Sequence, residues 1–407
     1  MKRTVLTMLA QAAASFGDRP YCHRKNDDGW IAKSFRQTQD EAILIARALR
    51  GRGFSPEDKG VILAEGSPEW VCFEFALLTA GGISVPLSIK LLPEELPFRI
   101  DHSDAAVIGV STNQLAKLAG IYDRLPAKPL VVLLEEADEH LAEARAAIPQ
   151  ATVTSYCELL AEGKAAPAEI AEGIERTIAD TGEESVATIS YTSGTTGNPK
   201  GIMLTHLNYF ANCTDAVEMF DVPYDFSTLV ILPCDHSFAH TVGLYAALLR
   251  GIELFFVDAR GGGVGILRNI PINLKETSPT FLLTVPALSG NFMKKITAGV
   301  EASGGFANWL FGAGIRAGIR RAGDGYTRPG LLTRVWNWLP HAAAEALIFR
   351  KVRTTFGSRI RFFVGGGALL DRGQQDFFNA IGLPVYQGYG LTEAAPIISA
   401  NTPQAHK

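Results

Sequence analysis

The chain has 407 residues, of which 47% are hydrophobic and 20% are charged, and its formal net charge is -4 at pH 7. This length and composition are typical of a globular protein with two or three α/β units, and the charge gives no support to a nucleic-acid partner. Five scattered cysteines, odd in number and without metal-ligand spacing, favour reduced thiols in a cytoplasmic protein.

The first residues allow two interpretations. Lys2 and Arg3 precede an apolar patch that is followed by small residues, as in a weak signal peptide. The uninterrupted apolar part is very short, however, because polar residues break it at positions 7 and 11. We predict instead an amphipathic first helix with one apolar face, which is made of Val5, Leu9, Ala12 and Phe16.

Turn and cap signals divide the next part of the chain into short strands and helices. Asp27-Asp28-Gly29 predicts a hairpin turn between strands at 21–24 and 30–34. Residues 38–41 match a capping box that opens a helix, and Ser67-Pro68-Glu69 predicts the start of another. Strands and helices then alternate, which predicts a mostly parallel sheet covered by helices on both faces.

An acidic, alanine-rich stretch at 157–184 contains few large apolar residues, so we place a domain boundary near Gly182. The predicted fold class is α/β, with a first subdomain at 1–182 and a second at 183–407. The second half repeats the alternating pattern. Its buried strands are predicted at 185–191, 229–232, 254–257, 281–285 and 360–364.

Residues 291–353 differ from this pattern because they are helical in character and rich in tryptophan. Between Trp309 and Arg353 there are eight basic and two acidic residues, a local balance of +6. One interpretation is a solvated helical insert that packs on the domain. The other is an interfacial surface that meets anionic lipid headgroups, which would make the protein peripheral on the inner membrane face.

The strongest chemical signal is the stretch YTSGTTGNPKG, Tyr191 to Gly201. Glycine lets the backbone turn successive N–H groups toward one point, and such a concavity binds an anion. Neighbouring hydroxyl groups add donors, and Lys200 adds a mobile positive charge. The stretch therefore predicts a polyphosphate-binding loop, whose glycines and hydroxyl residues are Thr192, Ser193, Gly194, Thr195, Thr196, Gly197 and Gly201.

Two other interpretations of this stretch are possible. A Gly/Ser/Thr loop is often only a flexible turn. A Walker-type loop needs four residues between its glycines, followed by Lys and Ser/Thr at the start of a helix. Here two residues separate Gly194 from Gly197, Gly201 follows the lysine, and residues 202–204 have strand character. We therefore expect the loop to join two strands, which disfavours a kinase or GTPase.

Three further segments carry candidate site residues. His236 lies in LPCDHSF, just past a predicted strand; a lone histidine there is more often structural, and His240 makes a metal pair with no third ligand nearby. Residues 365–368 (GGGA) follow a buried strand and offer bare backbone to a flat ring. YQGYGLTE, Tyr386 to Glu393, ends in a glutamate that would ordinarily be a solvated side chain.

YTSGTTGNPKG resembles the signature loop of the acyl-adenylate-forming family, which includes acyl-CoA synthetases, luciferases and peptide-synthetase adenylation domains. YQGYGLTE resembles the second signature of that family. The resemblance implies two layered subdomains with mostly parallel, helix-covered sheets. It also implies ATP-dependent activation of a carboxylic acid to an acyl-adenylate with release of pyrophosphate.

The resemblance also implies roles for individual residues. Lys200, His236, Thr392 and Glu393 would be catalytic, with His236 lining the acyl pocket and placing the carboxylate. Thr192 and Glu393 would hold Mg²⁺. The nucleotide would contact the loop residues Thr192 to Gly197 and Lys200, together with Gly366, Gly367, Ala368, Tyr389, Gly390 and Thr392. The serine that the family commonly has at the start of the glycine segment is Gly365 here, which removes one hydroxyl.

The helical insert and the flank PIISANTP (396–403) resemble the long-chain acyl-CoA synthetase branch, which implies a fatty acid and coenzyme A as substrates. The small C-terminal domain of the family is expected to be absent from the 407 residues, so we expect weak nucleotide binding and little thioester formation by this chain alone. Two alternatives remain open: transfer of the acyl group to a carrier protein, and a catalytically incomplete fatty-acid-binding fragment. The oligomeric state is not readable from the sequence.

Overall fold

The computed structural model describes residues 2–135, 140–192, 197–220, 222–323 and 329–403. Four residues of the predicted phosphate-binding loop, Ser193 to Thr196, lie outside these ranges. The described strands are β1 (Pro20–Lys25), β2 (Trp30–Ser34), β3 (Lys59–Leu63), β4 (Ile83–Pro86), β5 (Ala105–Val110), β6 (Leu130–Leu133), β7 (Val153–Ser155), β8 (Val186–Thr192), β9 (Lys200–Thr205), β10 (Ser227–Val230), β11 (Glu253–Phe256), β12 (Phe281–Thr284), β13 (Phe362–Gly365), β14 (Val385–Gly390) and β15 (Ile397–Ala400).

The described α-helices are α1 (Val5–Phe16), α2 (Phe35–Gly51), α3 (Pro68–Thr79), α4 (Leu96–His102), α5 (Thr112–Tyr122), α6 (Leu141–Ala147), α7 (Tyr156–Lys164), α8 (Ala168–Asp180), α9 (His206–Phe220), α10 (Ala246–Arg250), α11 (Gly262–Thr277), α12 (Pro286–Glu301), α13 (Gly305–Ala322), α14 (Leu331–Trp336), α15 (Trp338–Ala344), α16 (Arg350–Arg353) and α17 (Arg372–Ala380). Ala239–Tyr245 and Glu345–Phe349 form π-helical turns, and Thr392–Ala394 forms a 3₁₀ turn.

The described strands form two sheets. Sheet A has the order β15-β14-β13-β12-β10-β11-β1-β2, and sheet B has the order β7-β6-β5-β3-β4-β8-β9. Neighbours are parallel except for the pairs β1/β2, β14/β15 and β8/β9. This confirms the predicted fold class of mostly parallel sheets covered by helices.

The two sheets share a central layer of helices. Alternate residues of a strand point to opposite faces, and on β3 the side chain of Ile62 joins the central core while Val61 and Leu63 join an outer core. Helix α3 lies in the central layer and is buried along its whole length. It carries two buried acids, Glu69 and Glu74, and Glu74 accepts a hydrogen bond from the Tyr245 hydroxyl at 3.0 Å. The outer faces of the two sheets are covered by other helices, which gives five layers.

Both N-terminal strands and the first helix are confirmed, but the predicted cap of the second helix is wrong. Helix α2 begins at Phe35. The Ser34 side chain accepts from the backbone N–H of Gln37, and the Gln37 side-chain oxygen accepts from the Ser34 N–H. Thr38 lies inside the helix and donates to the Ser34 carbonyl oxygen at 2.9 Å. The helix starts earlier because Phe35 is fully buried and stacks on Tyr21, with ring centroids 4.4 Å apart.

The strands do not divide between the sheets at residue 182. β1 pairs in parallel with β11, which places the N-terminal hairpin in sheet A with the strands of the second half. β8 pairs with β4, and β9 pairs with β8. Sheet B therefore includes two strands from beyond residue 182. The loop between β8 and β9 therefore extends from an edge of sheet B.

A buried histidine leads to a prediction about folding stability. His206 begins α9, and its Nδ1 accepts a hydrogen bond from the Val5 backbone N–H at 3.3 Å. Burial lowers the pKa of the His206 imidazole from 6.5 to about 4. Because the unfolded chain then binds one more proton than the folded protein, the free energy of unfolding falls as pH drops from about 6.5 to about 4, by roughly 3 kcal/mol in total.

We expect His206→Asn to remove this pH dependence, because asparagine supplies an acceptor that does not titrate. The free energy of unfolding is measured with urea at several pH values between neutral and about pH 4. We expect it to fall less steeply with decreasing pH in His206→Asn than in the parent protein. The same slope in both proteins would contradict the assignment.

Candidate active site

An open cleft lies where the end of β8 in sheet B meets the end of β14 in sheet A. It contains about 830 Å³ of atom-free space, counted out to its open mouth. The cleft brings together eight of the residues singled out in the sequence, and these are Thr192, His236, Gly366, Gly367, Tyr389, Gly390, Thr392 and Glu393. The remaining lining residues are Ser237, Phe238, Gly388, Leu391, Pro396 and Ile397.

The predicted phosphate-binding loop has a fixed base. β8 and β9 are antiparallel, and Thr192 at the end of one strand lies opposite Lys200 at the start of the other. This confirms that the loop joins two strands. Lys200 is exposed and is not among the residues that line the cleft, although β9 packs against the 3₁₀ turn that contains Glu393. The Tyr191 hydroxyl, 2.8 Å from His102 Nδ1, ties the end of β8 to α4.

The second signature forms the other wall of the cleft. β14 ends at Gly390, and the next residues enter the 3₁₀ turn that carries Thr392 and Glu393. Position 390 excludes any residue with a side chain, because a Cβ atom there would lie 2.1 Å from the Pro396 carbonyl oxygen. That same oxygen accepts from the Leu391 N–H at 2.9 Å. The hairpin therefore closes tightly under the cleft, and Tyr389 stands at its rim with 59% of its surface exposed.

The glycine segment after β13 meets a ring of the protein itself. A Cβ atom at Gly366 would lie 3.2 Å from the Phe238 ring, so the missing side chain lets that ring approach. Gly367 has a φ of 79°, which L-residues with a side chain rarely adopt. Ala368 does not line the cleft, but its carbonyl oxygen accepts from the Gln387 side chain at 3.0 Å.

His236 is held as a neutral imidazole. Burial lowers its pKa, an effect that Asp235 opposes and Lys90 reinforces. Its Nδ1 lies 3.3 Å from the Phe238 N–H and accepts from it, which leaves the proton of the neutral ring on Nε2. His240 does not accompany it: this ring is fully buried and lies 2.9 Å from Glu74. The described residues contain no cluster of three His, Cys, Asp or Glu side chains that could hold a metal ion.

Two neighbours of His236 were missed in the sequence. The Ser237 hydroxyl lies 3.2 Å from that of Thr392, so a hydrogen bond joins the two segments across the cleft. Phe238 lines the cleft and also a second cavity, whose atom-free space is about 620 Å³ when it is counted out to its open mouth. Their position beside His236 in LPCDHSF was the available signal, but which face they present depends on the π-helical turn that follows.

The second cavity is apolar. Its described lining residues are all hydrophobic or glycine, and most of them come from α9 and the strands of sheet A. Large side chains such as Met219, Phe220 and Val242 form its walls. It meets the polar cleft at Phe238, Gly388 and Ile397, which line both spaces.

A sequence profile of the AMP-binding enzyme family matches residues 9–407. The chain belongs to this family. Its members form acyl-adenylates, and the cleft described above is lined by Thr192 of the first signature segment and by residues 388–393 of the second. The chain is 28% identical over 405 residues to the peroxisomal long chain acyl-CoA synthetase 7 of Arabidopsis thaliana, with 96% of this chain and 53% of the relative covered.

A chloroplastic long-chain-fatty-acid–[acyl-carrier-protein] ligase of Arabidopsis thaliana is 25% identical, with 98% of this chain and 57% of the relative covered. The chain thus spans about half the length of the curated relatives it matches. Its fold matches that of the adenylation domain of a carboxylate reductase from Mycobacterium chelonae, with a TM-score of 0.73, 19% identity, and coverage of 98% of this chain and 59% of the other.

Proposed function

We propose that this chain activates a long-chain fatty acid with ATP, forming an acyl-adenylate and releasing pyrophosphate. The observation that carries the proposal is the junction of two unlike spaces at Phe238, Gly388 and Ile397. A fatty acid has an apolar chain and an anionic head. The apolar cavity suits the acyl chain. The polar cleft, which is lined by Thr192 of the first signature and by residues of the second, suits a nucleotide beside the carboxylate head.

The nucleotide has candidate contacts on both walls of the cleft. Tyr389 offers an exposed ring to the adenine, and Gly367 offers bare backbone in the same cleft, whereas the space beside Gly366 is taken by the Phe238 ring. Thr392 would donate to the α-phosphate, while Thr192 and the loop that follows it would hold the other phosphates. Lys200 is the nearest cation of the signature, and its long side chain would need to swing toward the cleft when the polyphosphate binds.

His236 would place the carboxylate. Because the proton of its neutral ring lies on Nε2, this atom would donate to a carboxylate oxygen without adding a charge. One carboxylate oxygen would attack the α-phosphorus in line, and the bond from that phosphorus to the bridging oxygen of pyrophosphate would break. Both reactants are anions, so this chain would act mainly by positioning them and neutralising charge.

Magnesium fits the residues present. Mg²⁺ is usually held by one or two carboxylates together with substrate phosphates and water. The cleft supplies the Glu393 carboxylate and the Thr192 hydroxyl, both hard oxygen donors that line the same space. A metal ion held there would draw negative charge from the phosphates, and Glu393 and Thr192 would orient it.

The acceptor of the acyl group is the open part of the proposal. Coenzyme A is the first candidate because the acyl-CoA synthetase relative is 28% identical, against 25% for the acyl-carrier-protein ligase. A carrier protein is the second candidate because that ligase aligns over 98% of this chain. An acceptor assay with preformed acyl-adenylate and each thiol, on this chain completed with a C-terminal domain of the family, would separate the two, since only the correct acceptor would gain the acyl group.

ATP–pyrophosphate exchange tests the activation step. We expect exchange that requires both Mg²⁺ and a fatty acid, and that is faster with palmitate than with hexanoate or benzoate, because a longer chain fills more of the apolar cavity. Val242→Phe narrows this cavity and should depress exchange with palmitate far more than with hexanoate. Val264→Phe, at a position with 82% of its surface exposed, is the matched control. Acyl-chain binding without any exchange would leave only a fatty-acid-binding protein.

A further inference from the structure

The helical insert exposes a large apolar surface at one segment. All six residues of α14 are exposed, and the chain continues directly into α15. We define the apolar insert face as Leu331, Leu332, Val335, Trp336, Trp338 and Leu339. Their side chains are between 57% and 80% exposed, which is unusual for so many large apolar residues in one short segment of a monomer.

The apolar insert face sits on a well-packed support. The inner side of α13 packs Phe311 edge-on against Phe349, with ring centroids 5.7 Å apart. A Cβ atom at Gly314 would lie 2.2 Å from the Cβ of Ala344, so α13 and the end of α15 are in close contact. The apolar insert face is therefore attached to helices that pack closely against each other, α13 and the end of α15.

Basic residues accompany this face. Arg316, Arg320, Arg334, Arg350 and Lys351 are exposed, and none of them has a carboxylate within ion-pair distance among the described residues. Arg353 pairs with Glu345 at 2.7 Å. Arg321 lies 3.1 Å from the His341 ring, whose other nitrogen bonds the Ala380 carbonyl oxygen, so Arg321 anchors the insert to α17.

We propose that the apolar insert face docks on the surface of an anionic lipid bilayer. Tryptophan and leucine on one side of short helices enter the boundary between headgroups and acyl chains, and nearby arginines bind anionic headgroups. Charge complementarity selects this partner. The five basic side chains, which have no ion-pair partner among the described residues, are attracted by an anionic surface, repelled by a cationic one and gain nothing from a neutral one. The helices of the described residues are too short or too polar to cross a bilayer, so the contact is peripheral.

Vesicle co-sedimentation tests the docking surface. We expect the chain to bind vesicles of mixed phosphatidylcholine and phosphatidylglycerol and to bind phosphatidylcholine alone much more weakly. Arg316→Gln/Arg320→Gln/Arg334→Gln should lower partition onto the mixed vesicles roughly a hundred-fold, at roughly five-fold per basic residue. The control Arg124→Gln/Lys164→Gln/Arg176→Gln removes three exposed basic residues of the first half and should bind normally.

The apolar contribution is tested separately. Leu332→Ser/Trp336→Ser should abolish the blue shift of tryptophan fluorescence on the mixed vesicles, while Leu92→Ser, at another exposed leucine, should not. Equal binding by both triple variants would overturn the proposal. So would a dimer of the purified chain that Leu332→Ser/Trp336→Ser converts to monomer, because a second copy would then cover this face. Neither result depends on ATP–pyrophosphate exchange, so the two proposals fail independently.

Discussion

Replacing Lys200 with alanine is expected to lower the rate of ATP–pyrophosphate exchange by about a hundred-fold or more. A unit charge about 4 Å from a phosphate oxygen is worth roughly 4 kcal/mol at an effective dielectric near 20, and less where water screens it. A barrier increase of roughly 3 to 4 kcal/mol corresponds to a rate loss between about a hundred-fold and several hundred-fold. ATP affinity, measured by calorimetry, should fall as well.

Lys200→Ala should have little effect on folding stability, because the Lys200 side chain is exposed. We expect the free energy of unfolding to stay within about 0.5 kcal/mol of the parent protein. Lys164→Ala removes an exposed lysine at the end of α7 and serves as the matched control, with unchanged exchange. Exchange at the parent rate in Lys200→Ala would remove this lysine from the proposed mechanism.

Replacing Gly390 with alanine is expected to lower exchange by about a hundred-fold through displacement of the cleft wall. The new Cβ would lie 2.1 Å from the Pro396 carbonyl oxygen, so the backbone of the β14–β15 hairpin must move by roughly an ångström. That shift would carry Tyr389, Thr392 and Glu393 with it. A misplacement of about 1 Å in a positioned group costs about a hundred-fold in rate.

The control for Gly390→Ala is an alanine substitution at a glycine that has room for a side chain. Gly120 lies in α5 with no atom within 4 Å of a Cβ added there. We expect Gly120→Ala to keep full exchange and to gain about 0.5 to 1 kcal/mol of stability, because alanine is the better helix former. Thermal melts of both variants show whether Gly390→Ala is still folded at the assay temperature. A folded Gly390→Ala with normal exchange would contradict this account of the hairpin.

Local patterns predicted the elements of this fold more reliably than their assembly. Five strands of the second half were predicted to within about two residues, because each is a short apolar run bounded by turn residues, whereas β14 and β15 were not predicted as strands. The predicted cap at residue 38 was wrong, since two capping patterns follow each other at 34–37 and 38–41 and only the burial of Phe35 selects the earlier one. The place of β1 beside β11 was out of reach because local periodicity says nothing about a partner more than 200 residues away.

The site shows the same division. The signature segments identified Thr192, Tyr389, Thr392 and Glu393 as candidates, and the fold brings all four to one cleft. Gly366 was interpreted as room for a flat ring, but in the folded chain the ring that fills this space is Phe238. Nor could the shared border between the polar cleft and the apolar cavity be predicted, since it depends on how the fold brings Phe238 to the β14–β15 hairpin, which carries Gly388 and Ile397.

The position of Thr192 has a consequence for the mechanics of the whole molecule. Thr192 ends a strand of sheet B, whereas Tyr389 lies near the end of a strand of sheet A, so any molecule that touches both residues bridges the two sheets. Unfolding of either sheet would then release that molecule. A ligand concentration of about 100 times the dissociation constant would add roughly 2.7 kcal/mol against the loss of either sheet, and the two sheets would melt as a single cooperative unit.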